Sequence, residues 1–245
     1  MTNYVKYRPS YPAAIIDLLA TECGLRPASI VADAGSGTGL LAELFLKAGN
    51  RVLGIEPNRE MREAGEQLLR GYDRFVSIAA TAEATTLPDH SVDFITAGQS
   101  FHWFDRERAS VEFVRVLKPQ GWLVLIWNER RIDSTPFLRA YEQLLHTYAP
   151  EYAQVDHKQV DLDVIQAAFP TVNFQTRSFD NQQRFDFEGV KGRLLSSSYA
   201  PEAGHPNHAP MLAELAAIFE THQQDGAIDF EYDTRVTYGQ LGTRT

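Results

Sequence analysis

The feature that most restricts how this chain can fold is a short apolar run ending on a carboxylate and followed at once by closely spaced glycines. It reads Ser29-Ile30-Val31-Ala32-Asp33-Ala34, then Gly35-Ser36-Gly37-Thr38-Gly39. Leu40, Leu41, Leu44, Phe45 and Ala48 follow at helical spacing, and Gly49-Asn50 stops the stripe. A strand, a turn that needs bare backbone and an amphipathic helix make one βα unit. Similar units follow. Arg51–Glu56 reads as a second strand that also ends on a carboxylate, and Pro57-Asn58 opens a helix through Met61, Ala64, Leu68 and Leu69. Residues 75–79, 92–97 and 122–127 read as three further strands. A helix from Phe104 to Leu117 is expected to place Val111, Val114 and Leu117 on one side, and Lys118-Pro119-Gln120-Gly121 breaks it. The opening helix starts near Pro12.

Alternating βα units argue for an α/β fold with a mostly parallel sheet, and the expected architecture is a doubly wound, Rossmann-like sheet of seven strands. In the second half the spacing predicts a helix over 136–148, strands over 172–179 and 183–187, an amphipathic helix through Met211, Leu215 and Phe219, and a closing strand over 228–238. The whole chain, 1–245, is expected to be a single domain. Residues 1–28 form an N-terminal arm and helix, 29–130 the cofactor-binding core, and 188–226 a small helical cap inserted between late strands.

Composition narrows the function classes. Apolar residues make up 44% of the chain and charged residues 22%, which excludes a disordered segment. The single cysteine, Cys23, excludes a disulfide framework and fits a reducing compartment. No run is apolar for long enough to cross a bilayer, and Met1–Lys6 lacks a secretory stretch, so a cytoplasmic protein without membrane contact is expected. The net charge is −9, and residues 132–245 alone carry 8 basic against 16 acidic side chains. Such a surface repels a nucleic-acid backbone, so the expected partner is a small-molecule substrate and the expected assembly a monomer or homodimer.

The glycine loop lies where open parallel sheets bind ligands, at the carboxyl ends of the strands, and the helix after it presents unpaired N–H groups. Glu56, 17 residues beyond Gly39, is placed to accept hydrogen bonds from ribose hydroxyls. A dinucleotide site shares most of this logic, but its fingerprint, G-x-G-x-x-G, has its third glycine one residue later. Asp33 also sits close to where a pyrophosphate would lie. Two like unit charges about 4 Å apart repel by roughly 4 kcal/mol at an effective dielectric near 20. A carboxylate there favours a cationic ligand, and S-adenosylmethionine carries a sulfonium and an ammonium but no phosphate.

Taken together, Asp33–Gly39, Glu56, Ala82-Glu83, Leu87-Pro88-Asp89-His90-Ser91-Val92-Asp93 and Val116–Gly121 resemble class I S-adenosylmethionine-dependent methyltransferases. Gln99–Phe104 and Tyr7-Arg8-Pro9-Ser10-Tyr11-Pro12 resemble the small-molecule subset that includes trans-aconitate methyltransferase. The resemblance implies a cofactor site made by Asp33, Gly35, Ser36, Gly37, Gly39, Glu56, Pro57, Met61, Ala82, Glu83 and Gln99. Asp33 would face the ammonium, Glu56 the ribose diol, Glu83 the adenine amine, and Gln99 the sulfonium. Gln120 departs from the family by replacing the commoner glycine of that turn.

Methyl transfer from a sulfonium is an in-line displacement with a neutral leaving group, so alignment and exclusion of water matter more than acid catalysis. His102 is the candidate catalytic base, or else a side chain that shapes the pocket beside Trp103. Tyr7, Arg8 and Trp103 are the candidate substrate-binding residues. No metal site is expected: His205 and His208 flank a proline and lack a third ligand. The alternatives are a non-catalytic S-adenosylmethionine-binding module and an NAD-dependent oxidoreductase.

Overall fold

The computed structural model describes residues 7–152, 162–197 and 199–241. The first six residues of the N-terminal arm and Ser198 of the 188–226 segment lie outside them. In chain order the described elements are α1 (Ala14–Glu22), β1 (Ile30–Ala34), α2 (Leu40–Lys47), β2 (Arg51–Ile55), α3 (Arg59–Leu69), β3 (Phe75–Ile78) and β4 (Val92–Gly98). A single 3₁₀ turn at Phe101–Trp103 precedes α4 (Arg106–Val116) and β5 (Leu117–Arg130). Then come α5 (Pro136–Tyr148), α6 (Leu162–Ala168), β6 (Gln175–Phe185), α7 (Phe187–Leu195), α8 (His208–His222) and β7 (Ile228–Gln240).

The seven strands form one sheet in the order β3-β2-β1-β4-β5-β7-β6. β1 to β5 are parallel, with Asp33 opposite both Gly54 and Thr96. β7 is antiparallel to β5, since Gly121 O accepts from Leu241 N–H while Glu231 O accepts from Arg131 N–H. Chain order reverses between β1 and β4, the kind of switch point where such sheets bind ligands.

Strand side chains alternate between two cores. Leu123, Leu125 and Trp127 of β5 pack with Ile95, Ala97, Phe101 and Phe113, whereas Val124 and Ile126 pack with Phe94, Val31, Leu41 and Phe45. A strand covered on both faces needs an unbroken apolar run, which is what residues 122–127 supply.

Four expectations are corrected. First, Val111 and Val114 do not form the inward stripe of α4. They are 64% and 37% exposed, and Ala109, Phe113 and Val116 are buried instead. The buried face carries Glu112 because that carboxylate has fixed partners inside (below). Second, β5 starts at Leu117 rather than Trp122. Leu117 pairs with Val92 and Trp122 with Phe94, so Lys118–Gly121 bulge out of a continuing ladder, with Gln120 at φ +66°. Third, the two strands expected over 172–179 and 183–187 are one strand, β6. It lies on the edge of the sheet, where the polar run Asp180–Gln182 keeps its pairing while facing solvent. Fourth, Phe187 begins a helix, because the Asp186 side chain caps it by accepting from Gly189 N–H at 2.8 Å.

The chain divides into two compact units. One takes in Ser10–Asn128, Val160–Phe179 and residues from Thr234 onward; the other takes in residues up to Pro9, Glu129–Gln159 and Asp180–Asp233. The second has its own core, in which Leu138, Tyr141 and Leu145 of α5 meet Val190 and Leu194 of α7, Met211 and Leu215 of α8, and Phe230.

Candidate functional site

Within the larger unit the backbone after β1 folds back on itself. Gly35 N–H and Ser36 N–H both donate to Ile55 O, and Gly39 N–H donates to Ser36 O. Gly35, Gly37 and Gly39 have φ of +65°, +55° and +84°, a conformation costly for residues with a Cβ. They differ in what a side chain would meet. A Cβ on Gly35 would lie 2.7 Å from Ser100 Cβ, and one on Gly39 would lie 2.7 Å from Leu69 Cδ1. A Cβ on Gly37 would meet only Met61 Cε, at 3.7 Å. Gly35 and Gly39 are therefore packing glycines, while Gly37 borders open space. Gly65 of α3 belongs with them: its Cβ would sit 3.2 Å from Gly37 O, so the helix presses on the loop. A glycine inside a helix costs about 1 kcal/mol and signals such a contact.

Asp33 ends β1 almost fully buried, at 1% exposure. Thr96 Oγ1 donates to its Oδ1 at 2.8 Å, and Oδ2 has no hydrogen-bond partner of normal geometry. Burial pushes the carboxyl up to about 7; the Glu56 charge adds to this, while the Thr96 hydroxyl and the Ala42 amide oppose it. Thr96 was hidden in the sequence as one polar residue within the apolar run of β4.

Glu56 follows β2 and is held by backbone donors. Gly37 N–H reaches its Oε2 and Asn58 N–H its Oε1, each at 2.9 Å. Asn58 caps α3 by accepting from Met61 N–H at 3.0 Å, which fixes Pro57 and Met61 beside the loop. Beyond β3, Ala82 is buried, and Glu83 Oε1 accepts from Asp105 N–H at 2.9 Å. This stretch is anchored by Glu112, which accepts from Thr85 N–H at 2.7 Å and from Arg115 Nε at 2.8 Å. The Arg115 hydrogen bond is the main reason that its carboxyl falls to about 2. A lowered carboxyl stabilises the fold above about pH 4.5 and loses that contribution as pH falls toward 2. Glu112→Gln should therefore lower stability at pH 7 by about 1–3 kcal/mol, a difference that shrinks at pH 3 in urea melts.

After β4 the chain turns sharply at Gln99, where φ is +56°. Gln99 Nε2 donates to Asn128 O at 3.0 Å, and Ser100 Oγ donates to Ala34 O at 2.8 Å. His102 and Trp103 follow on the 3₁₀ turn with ring centroids 4.8 Å apart. His102 is half-buried, whereas Trp103 is 81% exposed and belongs to neither core. The N-terminal motif divides between the two units. Tyr11 lies over Gly98 at the end of β4, where a Cβ would be 2.5 Å from its hydroxyl. Tyr7 and Arg8 belong to the other unit, in which Tyr7 packs on Gly192 and Phe185 and Gln183 Nε2 donates to Arg8 O. His208 Nδ1 is 2.8 Å from Pro201 O, and His205 Nδ1 accepts from Asn207 N–H. Among the described residues no cluster of three His, Cys, Asp or Glu could hold a metal, and no helix is long and apolar enough to cross a membrane.

A mostly parallel open sheet and a left-handed glycine turn after its first strand define a doubly wound, Rossmann-like fold. Residues 32–125 match the family model for the methyltransferase domain. The chain is 29% identical over 237 residues to an uncharacterized methyltransferase of Schizosaccharomyces pombe, across 94% of this chain and 90% of that one. It is 39% identical over 127 residues to an uncharacterized methyltransferase of Mycobacterium tuberculosis, a match covering 52% of this chain and about half, 49%, of the relative. A solved structure from Anaeromyxobacter dehalogenans, assigned as a type II methyltransferase, shares the fold with a TM-score of 0.74 over 96% of this chain and 99% of that one, at 22% identity. The chain is thus similar to methyltransferases, with the family-model match confined to residues 32–125.

Proposed function

We propose that this chain transfers the methyl group of S-adenosylmethionine to a small-molecule acceptor by in-line displacement. The observation that supports the cofactor's placement is the buried Asp33 carboxyl, whose Oδ2 lacks a partner of normal geometry, at the end of the strand that runs into the left-handed glycine turn. A lone carboxylate oxygen in a dry site calls for a cationic donor, not a phosphate. When bound, the cofactor supplies a methyl carbon on a cationic sulfur that departs as a neutral thioether. Asp33 holds the ammonium, with Gly35, Ser36, Gly37 and Gly39 along the amino-acid moiety. Glu56 takes the ribose hydroxyls on lone pairs left after its two backbone bonds. Pro57 and Met61 flank the nucleoside, Ala82 and Glu83 serve the adenine, and Gln99 orients the sulfonium end. His102 removes a proton where the acceptor is not already ionised. The Gln99–Phe104 and Tyr7–Pro12 motifs, similar to those of trans-aconitate-type methyltransferases, support a small acceptor.

Calorimetry with S-adenosylhomocysteine and with NAD tests the cofactor site: tight NAD binding and no heat from the former would overturn the reading. Label transfer from methyl-labelled cofactor into a metabolite extract tests the reaction, and binding without transfer would leave only a binding module. Glu56→Ala should weaken S-adenosylhomocysteine by about 1.5–3 kcal/mol through lost charge-assisted hydrogen bonds. An unchanged affinity would remove Glu56 from the site.

A further inference from the structure

Within the buried run Phe94–Ala97 of β4, Thr96 is the one polar residue. Opposite it on β1 stands Asp33, and opposite it on β5 stands Val124. Residues paired across a sheet share a face, so the Thr96 side chain lies between a carboxyl and an isopropyl group. A valine in its place would need no partner. The threonine hydroxyl donates to Asp33 Oδ1 at 2.8 Å, between groups 63 residues apart in the chain.

That bond treats the two carboxyl oxygens unequally. Oδ1 is held by Thr96, whereas Oδ2, also buried, has no hydrogen-bond partner of normal geometry. A proton on Oδ2 keeps the group neutral in the free protein, which agrees with a carboxyl pushed up to about 7 by burial. An incoming cation displaces that proton and takes its place on the same oxygen. The groups that act on Asp33 come from three elements: Thr96 from β4, Glu56 from beyond β2 and the Ala42 amide from α2. The Glu56 charge disfavours ionisation, while the two hydrogen-bond donors favour it. The hydroxyl on Oδ1 therefore both sets which oxygen is left over and brings its ionisation within reach of neutral pH.

We propose that Thr96 is a positioning residue for the cofactor: its hydroxyl holds Oδ1 of Asp33 so that Oδ2 meets the ammonium group. The proposal rests on the cofactor reading above and adds the residue through which Asp33 acts. Calorimetry with S-adenosylhomocysteine on wild type, Thr96→Val and Thr96→Ser, between about pH 5 and 9, tests it. Thr96→Val should bind about fivefold or more weakly at pH 7, with the midpoint of its affinity profile about one pH unit higher. The ratio between the two proteins cancels titration of the ligand itself. It should narrow toward pH ~9, where Asp33 is ionised in both, which a loosened fold would not reproduce. Thr96→Ser keeps the hydroxyl and should restore both the affinity and the midpoint. Thr96→Ala, which also lacks the hydroxyl, replaces Thr96→Val in the series should the valine variant not fold. If wild type itself binds no S-adenosylhomocysteine, the cofactor reading falls and this role falls with it. If wild type binds and Thr96→Val binds equally well, or binds less well by a factor that is the same at every pH, Thr96 alone is overturned and the cofactor reading stands.

Discussion

Gly37→Val should leave the chain folded and abolish its binding of S-adenosylhomocysteine. In the free protein an added Cβ meets nothing nearer than Met61 Cε at 3.7 Å, so the penalty is that of the φ of +55°. Such strain costs about 1–3 kcal/mol, and each kcal/mol shifts the melting point of a chain this long by about 2–4 °C. A modest drop is therefore expected, together with loss of more than about a hundredfold in affinity, because the valine side chain intrudes where the loop meets Glu56. Gly39→Val is the contrasting case. There the new Cβ strikes Leu69 within the core, so instability dominates and the melting point falls further. Normal cofactor binding by Gly37→Val would reduce the loop to a turn.

The contrast between the glycines marks where the sequence stopped being informative. That Gly35, Gly37 and Gly39 form the turn was legible from spacing, because only bare backbone follows a strand so abruptly into a helix. Which of them is packed against side chains and which is not was hidden, since that depends on Ser100 and Leu69 arriving from remote segments. Strands covered on both faces were legible for the same reason that β5 is uniformly apolar. The inward face of α4 was misread because β-branched Val111 and Val114 satisfy helical periodicity as well as Phe113 and Val116 do. The Thr85 partner of Glu112 favours the observed rotation, and it comes from outside the helix, 27 residues away in the chain. Asp33 was found as the acidic residue before the glycines, but its burial and its Thr96 partner arise from pairing between strands 63 residues apart.

That burial makes the second large effect one of pH. Asp33 titrates near 3.8 when unfolded and near 7 in the fold, chiefly because it is buried. Between those values the folded chain holds a proton that the unfolded chain has lost, so stability from this group is complete below about pH 4 and declines as pH rises through 7. Asp33→Asn, which cannot ionise, should match wild type near pH 4 and be more stable at pH 8, by a difference of order 4 kcal/mol. Cofactor binding should show the opposite preference. An ammonium beside Asp33 stabilises its charged form, so S-adenosylhomocysteine should weaken as pH falls below about 7, by up to tenfold per unit. The Asn variant should bind weakly with no such slope. Urea melts and calorimetry from pH 5 to 8 read both quantities on the same two proteins. A flat wild-type affinity would separate Asp33 from the ligand, and an Asn variant no more stable at pH 8 would mean that the carboxylate is satisfied as it stands. Found together, a more stable and less competent Asn variant would locate in one carboxylate both the cost to the empty fold and the attraction for a cationic ligand.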